Sequence, residues 1–322
     1  MSSALPIVTL TLNPAVDYAI EIPTFEAGRI NRGTTAWLDP GGKGINASRV
    51  IWRMKRLTLA VGFVGGPTGA MIRARLGAEG VPHVLLEVRQ MTRINVMVHE
   101  IRIGRRSRFY LPGPRITPRD LASIWEMLSL LPTGTTLIMG GSIPPGLPTT
   151  IYRDLTRNLA ARGISVIVDA SGPALAAVLS AHPVLIKPNM EEAAEVLQRP
   201  LASDAEVFAA AVELRRRGAS NVVISQGAHG AIGVGTDGCW KAIPPAVTAR
   251  STVGSGDSMV AGMAIVFNEG GQLADALRLG TAAGAATAMT PGTRLCRAAD
   301  VQLLLPHVRL LPLGDDASGP AP

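Results

Sequence analysis

The sequence lacks the features that would place it among disulfide-rich, zinc-binding or nucleic-acid-binding proteins. Its 322 residues include only two cysteines, Cys239 and Cys296, which have neither CxxC spacing nor a histidine cluster beside them. This excludes a disulfide scaffold and argues against structural zinc, so we expect reduced thiols. Aromatic residues make up only 4% of the chain, and its arginines are scattered despite a net charge of +7. We therefore predict no nucleic-acid partner; an anionic small substrate suits the charge better.

Long apolar runs are also missing. The longest stretches without charge, such as residues 128–152, are interrupted by proline, glycine and threonine. None provides the run of about 18 apolar residues that a membrane span needs. The N-terminal segment MSSALPIVTLTLNP has no basic residues before its apolar part. We therefore predict no membrane partner, no signal peptide and a cytoplasmic location.

Glycine and proline, by contrast, are plentiful, with 35 and 24 residues, and 47% of the chain is hydrophobic. This composition is typical of a globular α/β protein with tight loops. Apolar β-branched runs at 136–140, 164–168, 184–186 and 221–225 alternate with stretches of helical periodicity. Alternating strands and helices form βαβ units, so the predicted fold is α/β, a doubly wound, mostly parallel sheet with helices on both faces.

Two segments distant in sequence predict a small β lid on this domain. Residues 17–39 contain two short strand patterns, and residues 90–112 contain RINVMVHEI and SRFYL, which predict an antiparallel hairpin. We assign residues 1–311 to one domain that includes this lid. Residues 312–322 are small, polar and proline-rich, and we expect them to be a disordered tail.

The stretch STVGSGDSM, residues 251–259, is the first of four candidate site motifs that each follow a predicted strand. Ligands of doubly wound sheets bind at such strand ends. Gly254, Ser255 and Gly256 precede Asp257 at the predicted start of a helix. The glycines let several backbone N–H groups approach one point, which together with the helix dipole makes an anion site. Asp257 is then either a general base or a helix-capping residue.

The second motif is DPGGKGINASR, residues 39–49. Its spacing is neither the dinucleotide-binding G-x-G-x-x-G nor a Walker A sequence. Gly41, Gly42 and Gly44 would let a polyol approach the backbone, and Asn46 offers a donor and an acceptor to sugar hydroxyls. Taken alone, the motif is better explained as a glycine-rich loop.

The third and fourth motifs are IKPNMEE at 186–192 and SQGAHG at 225–230. Lys187 ends a strand, and Asn189 and Glu192 lie three residues apart at the start of the next helix. An amide and a carboxylate so placed can hold a hydrated Mg²⁺ beside phosphates, although a capping box explains them equally well. The glycine-bearing turn of the fourth motif could line a nucleotide.

Together, GGKGIN, KPNMEE, SQGAHG and GSGDS occur in the order of the ribokinase-like (PfkB) carbohydrate kinase family, and the likeness runs from TLNPAVD to GTRLC. TLNPAVD, TRINV, GSIPPG and STVGSGDSM resemble its phosphosugar kinase branch. The resemblance implies a ribokinase-like fold and an ATP-dependent sugar-phosphate kinase. Asp257 would take the proton of the acceptor hydroxyl, while the backbone of Gly254, Ser255, Gly256 and Asp257 would stabilise the migrating phosphoryl group.

The resemblance also implies which residues bind each ligand. The residues expected at the sugar phosphate are Asp17, Arg29, Gly41, Gly42, Lys43, Asn46, Arg93 and Ser142. Those expected at ATP and its Mg²⁺ are Lys187, Asn189, Glu192, Ser225, Gln226, Gly227, Gly230, Ser251 and Thr252, with Glu192 ordering the metal through water. A K⁺ site is expected at Ser251, Val253, Thr287, Thr290, Gly292 and Arg294. Arginine suits the substrate phosphate through bidentate contacts, although without the family context each lid arginine is better explained as a surface charge.

The acceptor sugar is less closely specified. PGP at 112–114 and GTRLC at 292–296 resemble the 6-phosphofructokinases of the family, whereas GGKGIN and TRINV equally resemble 1-phosphofructokinase or tagatose-6-phosphate kinase. The chain departs from the 6-phosphofructokinase pattern at Lys43, Gln226 and Ser255, where glycine, leucine and alanine are usual. Lys43 adds a cation to the sugar pocket that could meet a phosphate on a different carbon. We expect fructose 6-phosphate as the acceptor and a homodimer that pairs through the lid. The alternative of another class is a non-catalytic nucleotide or sugar-phosphate sensor.

Overall fold

The computed structural model describes residues 5–314, which form two sheets and the helices that cover the larger one. The strands are β1 (Ile7–Thr11), β2 (Ala15–Ile22), β3 (Thr35–Gly41), β4 (Thr58–Val64), β5 (His83–Glu87), β6 (Arg93–Glu100), β7 (Arg105–Phe109), β8 (Thr136–Gly140), β9 (Ser165–Asp169), β10 (Leu185–Ile186), β11 (Asn221–Ser225), β12 (Ala231–Gly235), β13 (Gly238–Ile243) and β14 (Arg309–Pro312). The α-helices are α1 (Lys43–Arg53), α2 (Gly66–Ala78), α3 (Pro118–Ser129), α4 (Ile151–Ala160), α5 (Gly172–Val178), α6 (Met190–Leu197), α7 (Asp204–Arg216), α8 (Ser255–Asn268), α9 (Leu273–Ala288) and α10 (Ala298–Leu304).

The larger sheet has ten strands in the order β14-β13-β12-β11-β10-β9-β8-β1-β4-β5. From β11 to β5 all neighbours are parallel, whereas β12, β13 and β14 add antiparallel strands at one end. From β1 the chain builds the sheet outward in both directions, so strand order reverses between β1 and β8. This confirms the predicted doubly wound fold, and the crevice beyond the carboxyl ends of β1 and β8 is where such folds bind ligands.

Helices pack on both faces of this sheet because its strands are apolar on both sides. In β8, Leu137 and Met139 pack into one buried cluster with α3 to α7, while Ile138 between them packs into another with α1, α8, α9 and α10. Side chains alternate across a strand, so a continuous apolar run needs cover on both faces. Each fully buried Leu, Ile or Val contributes about 1.5–3 kcal/mol of transfer free energy. The two layers therefore hold the strand ends in fixed positions.

A second sheet of four strands, in the order β3-β2-β6-β7, forms the lid. Strand β2 pairs antiparallel with β3 and parallel with β6, and β6 and β7 form the predicted antiparallel hairpin. The pairing of Ala15 with Gly41 carries β2 and β3 two residues beyond the predicted segment 17–39. Ala15 and Gly41, the paired ends of the observed segment, therefore lie next to the larger sheet. Gly41 leads into α1.

The C-terminal end of the described chain is part of the larger sheet. Strand β14 ends at Pro312, which pairs with Trp240, and the Leu313 N–H donates to the Cys239 carbonyl at 2.9 Å. The folded domain thus extends past the predicted boundary at residue 311, because these residues complete an antiparallel edge. The rest of the predicted tail, from 315 onward, lies outside the described residues. Within residues 5–314, no helix combines the length and apolarity required to traverse a bilayer.

Candidate active site

The glycine pair before α1 lets the backbone pass close to a buried carboxylate. Gly42 adopts φ 120°, and a side chain there would lie 2.7 Å from Thr11 Cγ2. A methyl group on Gly41 would lie 2.2 Å from Asp17 Oδ2. Asp17 is buried and accepts a hydrogen bond of 2.8 Å from Asn95 Nδ2. Burial raises the pKa of Asp17 to about 6 although the hydrogen bond from Asn95 opposes the change. The structure thus joins the predicted sugar-binding residues Asp17, Gly41 and Gly42.

The start of α8 brings Asp257 to the same place. Gly254 precedes the helix in the left-handed conformation, with φ 77°, and Asp257 is its third residue. Helix geometry leaves the first N–H groups without intrahelical acceptors, and the Ser255 N–H has only a long contact of 3.4 Å with the Thr252 carbonyl. Asp257 Oδ2 accepts a hydrogen bond of 2.8 Å from Asn46 Nδ2. The Asp257 carboxylate and the N–H groups of the first turn of α8 therefore lie side by side.

A cluster of two lysines and two acids lies beside this carboxylate. Lys43 Nζ is 2.8 Å from Asp169 Oδ1 and 3.8 Å from Glu192 Oε1, and Lys187 Nζ is 3.6 Å from the same Asp169 oxygen. Burial alone would raise the pKa of Asp169, but Lys187 and Lys43 outweigh it and hold that pKa below its usual value. Burial, followed by the negative charge of Asp169, raises the pKa of Asp257. A raised pKa makes Asp257 a better proton acceptor.

Arg93 lies at the first residue of β6, where the lid meets the crevice between β1 and β8. Its guanidinium donates to the carbonyls of Leu111 at 2.8 Å and Asn13 at 3.0 Å, while its Nε–H is buried without a partner. The Asn13 side chain in turn donates to the Ser142 hydroxyl at 3.0 Å. A cavity of about 560 Å³ opens here. It is lined by Asn13, Arg93, Tyr110, Leu111, Pro112, Ser142, Ile143, Pro144, Pro145, Leu147 and Thr149.

Of the predicted sugar-phosphate residues, only Arg93 and Ser142 line this cavity, and Arg29 lies away from the other site residues as well. It lies in the exposed loop between β2 and β3, where its N–H donates to the Glu26 carbonyl and its carbonyl accepts from Asn31. Lys43 also differs from expectation. Its amine is bonded to Asp169, at the end of β9, and it is not among the residues that line the cavity beside Arg93.

The predicted nucleotide residues lie along the carboxyl ends of β10 and β11. Asn189 and Ser225 form a bridge between these strand ends. Asn189 and Glu192 bond each other as a capping box at the start of α6, which is the structural alternative for this motif. The capping box therefore fixes Glu192 through Oε2, and Oε1 faces Lys43.

The turn of the fourth motif follows β11. Gly227 and Gly230 have φ values of 59° and 92°, in the left-handed region. Gln226, in the position where leucine is usual, donates from Nε2 to Asp204 Oδ1 at 2.9 Å. Its side chain thus joins the turn to the start of α7. Thr252, at the other predicted nucleotide segment, is exposed.

The two segments of the predicted K⁺ site are adjacent. The N–H groups of Arg250 and Ser251 donate to the Ala288 carbonyl at 2.7 and 3.1 Å. The Thr290 hydroxyl donates to the Thr287 carbonyl at 2.8 Å and also to the Arg294 carbonyl. These two carbonyls already accept protein donors, so a cation here would share them with Thr290.

Several residues of the site were not predicted from the sequence. They are Thr11, Asn13, Asn95 and Asp169. Asp169 ends β9, and Asn13 comes two residues after β1, so the strand-end rule that selected the four motifs would have found both. Asn95 is different, because its role depends on the pairing of β6 with β2, which brings it opposite Asp17.

Comparison with known proteins agrees with this geometry. The model of the pfkB family carbohydrate kinases matches residues 6–300. The chain is 36% identical over 305 residues to ATP-dependent 6-phosphofructokinase isozyme 2 of Escherichia coli (strain K12), covering 94% of this chain and 98% of that protein. It is 33% identical over 305 residues to 1-phosphofructokinase of Borreliella burgdorferi, with the same coverage.

Among solved structures, the fold is similar to a crystal structure of phosphofructokinase-2 from Escherichia coli in complex with potassium. The TM-score is 0.89 at 36% identity, covering 94% of this chain and 99% of that one. Fold, motifs and site geometry agree with this likeness along nearly the whole chain. The chain therefore belongs to the pfkB family of carbohydrate kinases, which confirms the predicted class of ATP-dependent sugar-phosphate kinase.

Proposed function

We propose that the protein transfers the γ-phosphoryl group of ATP to fructose 6-phosphate, giving fructose 1,6-bisphosphate and ADP. The observation that carries this proposal is the placement of Asp257. Its carboxylate lies in the first turn of α8, bonded to Asn46 of the glycine motif and beside Lys187 and Lys43. Asp257 thus adjoins Asn46, which would bind a sugar hydroxyl, as well as the N–H groups of the helix start and two lysine side chains. Phosphoryl transfer requires these kinds of group.

The transfer step follows from these positions. Asp257 accepts the proton of the acceptor hydroxyl as that oxygen forms its bond to the γ-phosphorus. The bond between the γ-phosphorus and the bridging oxygen of ADP breaks, and its electron pair leaves on ADP. The N–H groups from Gly254 to Asp257 bind the oxygens of the migrating group, where the helix dipole favours negative charge. General-base assistance of this kind contributes about 10²–10⁴-fold.

The sugar phosphate would be held between the body and the lid. Asp17 and Asn46 accept or donate hydrogen bonds to its hydroxyls, with the Gly42 backbone allowing close approach. Arg93 faces the cavity with unused N–H groups and binds the substrate's own phosphate. The cavity, about 560 Å³, is within the size range of small-ligand sites.

ATP would lie across the ends of β10 and β11, with Ser225 and the glycine turn against the nucleoside and Lys187 and Asn189 near its phosphates. In residues 5–314, no cluster of three or more His, Cys, Asp or Glu side chains could hold a metal by itself. This fits Mg²⁺, which keeps most of its waters and is bound through phosphates and one or two carboxylates. Glu192 Oε1 is the protein oxygen available for that purpose. When bound, Mg²⁺ neutralises phosphate charge.

A K⁺ ion would lie between the segments 251–253 and 287–294, which adjoin at the start of α8. Support comes from the potassium complex of the similar Escherichia coli structure and from the hydrogen bonds that join these segments here. Carbonyl oxygens suit K⁺, which prefers several weak oxygen ligands. The ion would stabilise the backbone that leads into Gly254.

The competing acceptors are fructose 1-phosphate and tagatose 6-phosphate. Specific support for them comes from Lys43 and the TRINV sequence, and from the 33% identity to a 1-phosphofructokinase. The experiment is a panel of the three sugar phosphates compared by kcat/KM with ATP. Fructose 6-phosphate should exceed the others by at least about tenfold, a difference of about 1.4 kcal/mol in transition-state binding. A higher kcat/KM for either competitor would transfer the assignment to it.

We also propose that the protein is a homodimer that pairs through the lid. The lid exposes large apolar side chains, among them Phe25, Ile30, Leu38 and Phe109. Leu38 and Phe109 lie on strands of this sheet and Phe25 and Ile30 on the loop between β2 and β3, and exposed apolar side chains favour a partner surface. Sedimentation should give a dimer, and Leu38→Lys should give a monomer if the proposal holds.

A further inference from the structure

Lys43 distinguishes this chain from the 6-phosphofructokinase pattern, in which glycine is usual at this position. It is the first residue of α1, and 30% of its side chain is exposed. Its sequence position next to the sugar-binding glycines suggests contact with the substrate's phosphate. The structure gives a different location to the amine.

The Lys43 amine is directed to the end of β9 and not to the cavity beside Arg93. Nζ lies 2.8 Å from Asp169 Oδ1 and 3.8 Å from Glu192 Oε1. Asn13, Arg93 and nine further residues line that cavity, and Lys43 is not one of them. If Arg93 binds the substrate phosphate in that cavity, the Lys43 amine is therefore not placed at that phosphate.

Asp169 holds a second lysine with the same oxygen. Lys187 Nζ is 3.6 Å from Asp169 Oδ1, and it also lies 3.5 Å from the position of a methyl group added to Gly256. The Lys187 amine thus adjoins the first turn of α8, where the phosphoryl group would bind. Lys43 Nζ contacts the same Asp169 oxygen as Lys187, so it lies near this turn as well. Both amines therefore adjoin the position of transfer.

The cluster has no net charge, because Asp169 and Glu192 offset Lys43 and Lys187; what it can offer an anion is the N–H donors of its two ammonium groups. Asp169 is 3% exposed at its side chain and carries one negative charge between two ammonium groups. An ammonium group has three N–H donors and no acceptor. The bond to Asp169 uses one donor of Lys43, which leaves others for oxygens that carry developing negative charge.

We propose that Lys43 is a catalytic residue that contacts the transferring phosphoryl group, and that Asp169 is the positioning residue that holds Lys43 and Lys187 at this site. The inference rests on the proposed function, because it assumes that ATP binds beyond β10 and β11. Lys43 then adds a fixed cation where the glycine-containing relatives have none. It contributes to transfer and leaves recognition of the sugar phosphate to Arg93.

The first test is Lys43→Met, which keeps the aliphatic stem and removes the charge. Loss of one charged donor at a transferring group should lower kcat about 10²-fold. The KM for fructose 6-phosphate should change by less than about threefold, because a group that acts only in the transition state alters kcat and not substrate binding. Lys43→Arg should restore part of kcat, and Lys55→Met, which removes an exposed lysine just after α1, should leave all constants unchanged. A tenfold or larger rise in sugar KM with unchanged kcat would make Lys43 a sugar-phosphate ligand and overturn the proposal.

Nucleotide binding provides a readout that does not need turnover. We would measure the Kd of ADP and of the β,γ-imido analogue of ATP for wild type and Lys43→Met. A contact with the γ-phosphate predicts that the variant loses affinity for the analogue by about tenfold while its Kd for ADP changes little. Equal effects on both nucleotides, or none, would mean that the ion pair with Asp169 is only structural.

Asp169 is tested by Asp169→Asn and by the double variant with Lys43→Met. If Asp169 acts through Lys43, the double variant should lose no more than about threefold in kcat beyond the more impaired single variant. Additive losses would contradict a positioning role. Asp169→Asn leaves Lys187 buried without its partner and could prevent folding. In that event the two Lys43 experiments decide.

The outcomes also separate this inference from the proposed function. If wild type turns over none of the three sugar phosphates, the proposed function fails, and the nucleotide Kd ratio still decides the role of Lys43. If wild type is active and Lys43→Met equals it in kcat and in that ratio, only the inference fails.

Discussion

The proposed centre of phosphoryl transfer and the lid differ in how their charged side chains are partnered. At the centre, Asp257 is bonded to Asn46, and Asp169 holds Lys43 and Lys187. On the lid, Arg93 bonds only backbone carbonyls and keeps a buried N–H without a partner. The transfer centre is therefore organised by its own residues, whereas the lid retains unused donors for a ligand.

This difference predicts that the two regions contribute to different constants, the transfer centre to kcat and the lid to KM. A side chain fixed by its neighbours before substrate arrives costs no reorganisation during transfer, so its loss should lower kcat. A side chain whose donors are satisfied only by the substrate should mainly affect KM. Variants in the two regions therefore test whether one region mainly sets kcat and the other mainly sets KM.

The largest effect is expected from Asp257→Asn. The amide keeps the shape of the carboxylate but cannot accept the proton, so kcat should fall about 10³–10⁴-fold with the KM for the sugar phosphate within about threefold. Asp275→Asn is the matched control, because Asp275 is likewise the third residue of its helix, α9, and is exposed. Steady-state kinetics of both variants give the measurement. Wild-type kcat in Asp257→Asn would remove the general base from the mechanism.

The next effect is expected from Arg93→Ala. Truncating a partly buried arginine that binds a phosphate typically costs about 2–5 kcal/mol, so the KM for fructose 6-phosphate should rise at least about 30-fold. With fructose, which lacks the phosphate, wild type and variant should have similar kcat/KM. Arg108→Ala, an exposed arginine on the neighbouring strand β7, is the control. An unchanged KM would show that the phosphate binds elsewhere. The lid would then not be the region that determines KM.

The position of most of these residues could be predicted from the sequence because the site follows a local rule. Asp257, Lys187 and Ser225 each come at the end of a strand pattern or the start of a helix, and the carboxyl ends of parallel strands meet at one edge. The doubly wound fold follows from the same alternation. Periodicity and strand ends therefore indicate where these residues lie, whereas their roles are predicted from the family resemblance.

The rest depends on contacts between distant segments. The partner of Lys43 is Asp169, separated from it by 126 residues, and only the order of strands in the sheet brings them together. Asn95 meets Asp17 because β6 pairs in parallel with β2, a register that a hairpin pattern does not specify. The strand pairing beyond residue 311 is a further contact between distant segments. The pairing of Pro312 with Trp240 leaves no pattern in the sequence around residue 311, so a boundary at 311 does not include it.

Asp17 lies on the border of the two regions and should show the cost of holding an acid there. Its pKa is raised to about 6 by burial, so the folded state keeps the proton longer than the unfolded chain. The stability that this contributes is present below the ordinary pKa of 3.8 and is lost as pH rises through 6. Asp17→Asn removes the titration, and above pH 6 its free energy of unfolding should exceed that of wild type by up to about 3 kcal/mol.

Urea unfolding of wild type and Asp17→Asn between pH 4 and 8 checks this prediction. The difference between the two proteins should grow from pH 4 to 6 and level off above that, while sugar binding is weakened at every pH. Asp275→Asn, at an exposed site, should follow wild type. If the difference in the free energy of unfolding does not depend on pH, burial does not raise the pKa of Asp17.

The smallest effect is expected from Arg29→Ala, because Arg29 is exposed and its backbone alone is bonded within the lid loop. An exposed charge contributes about 0–1 kcal/mol, so the KM for fructose 6-phosphate should rise no more than about fivefold. Arg32→Ala, on the same loop and also exposed, is the matched control. A rise as large as that for Arg93→Ala would mean that Arg29 reaches the substrate, either from a second chain or by a rearrangement of its own lid. Measuring the KM over a range of protein concentrations would then distinguish the two, since a second lid in a homodimer makes the contribution of Arg29 depend on concentration and a rearrangement within one chain does not.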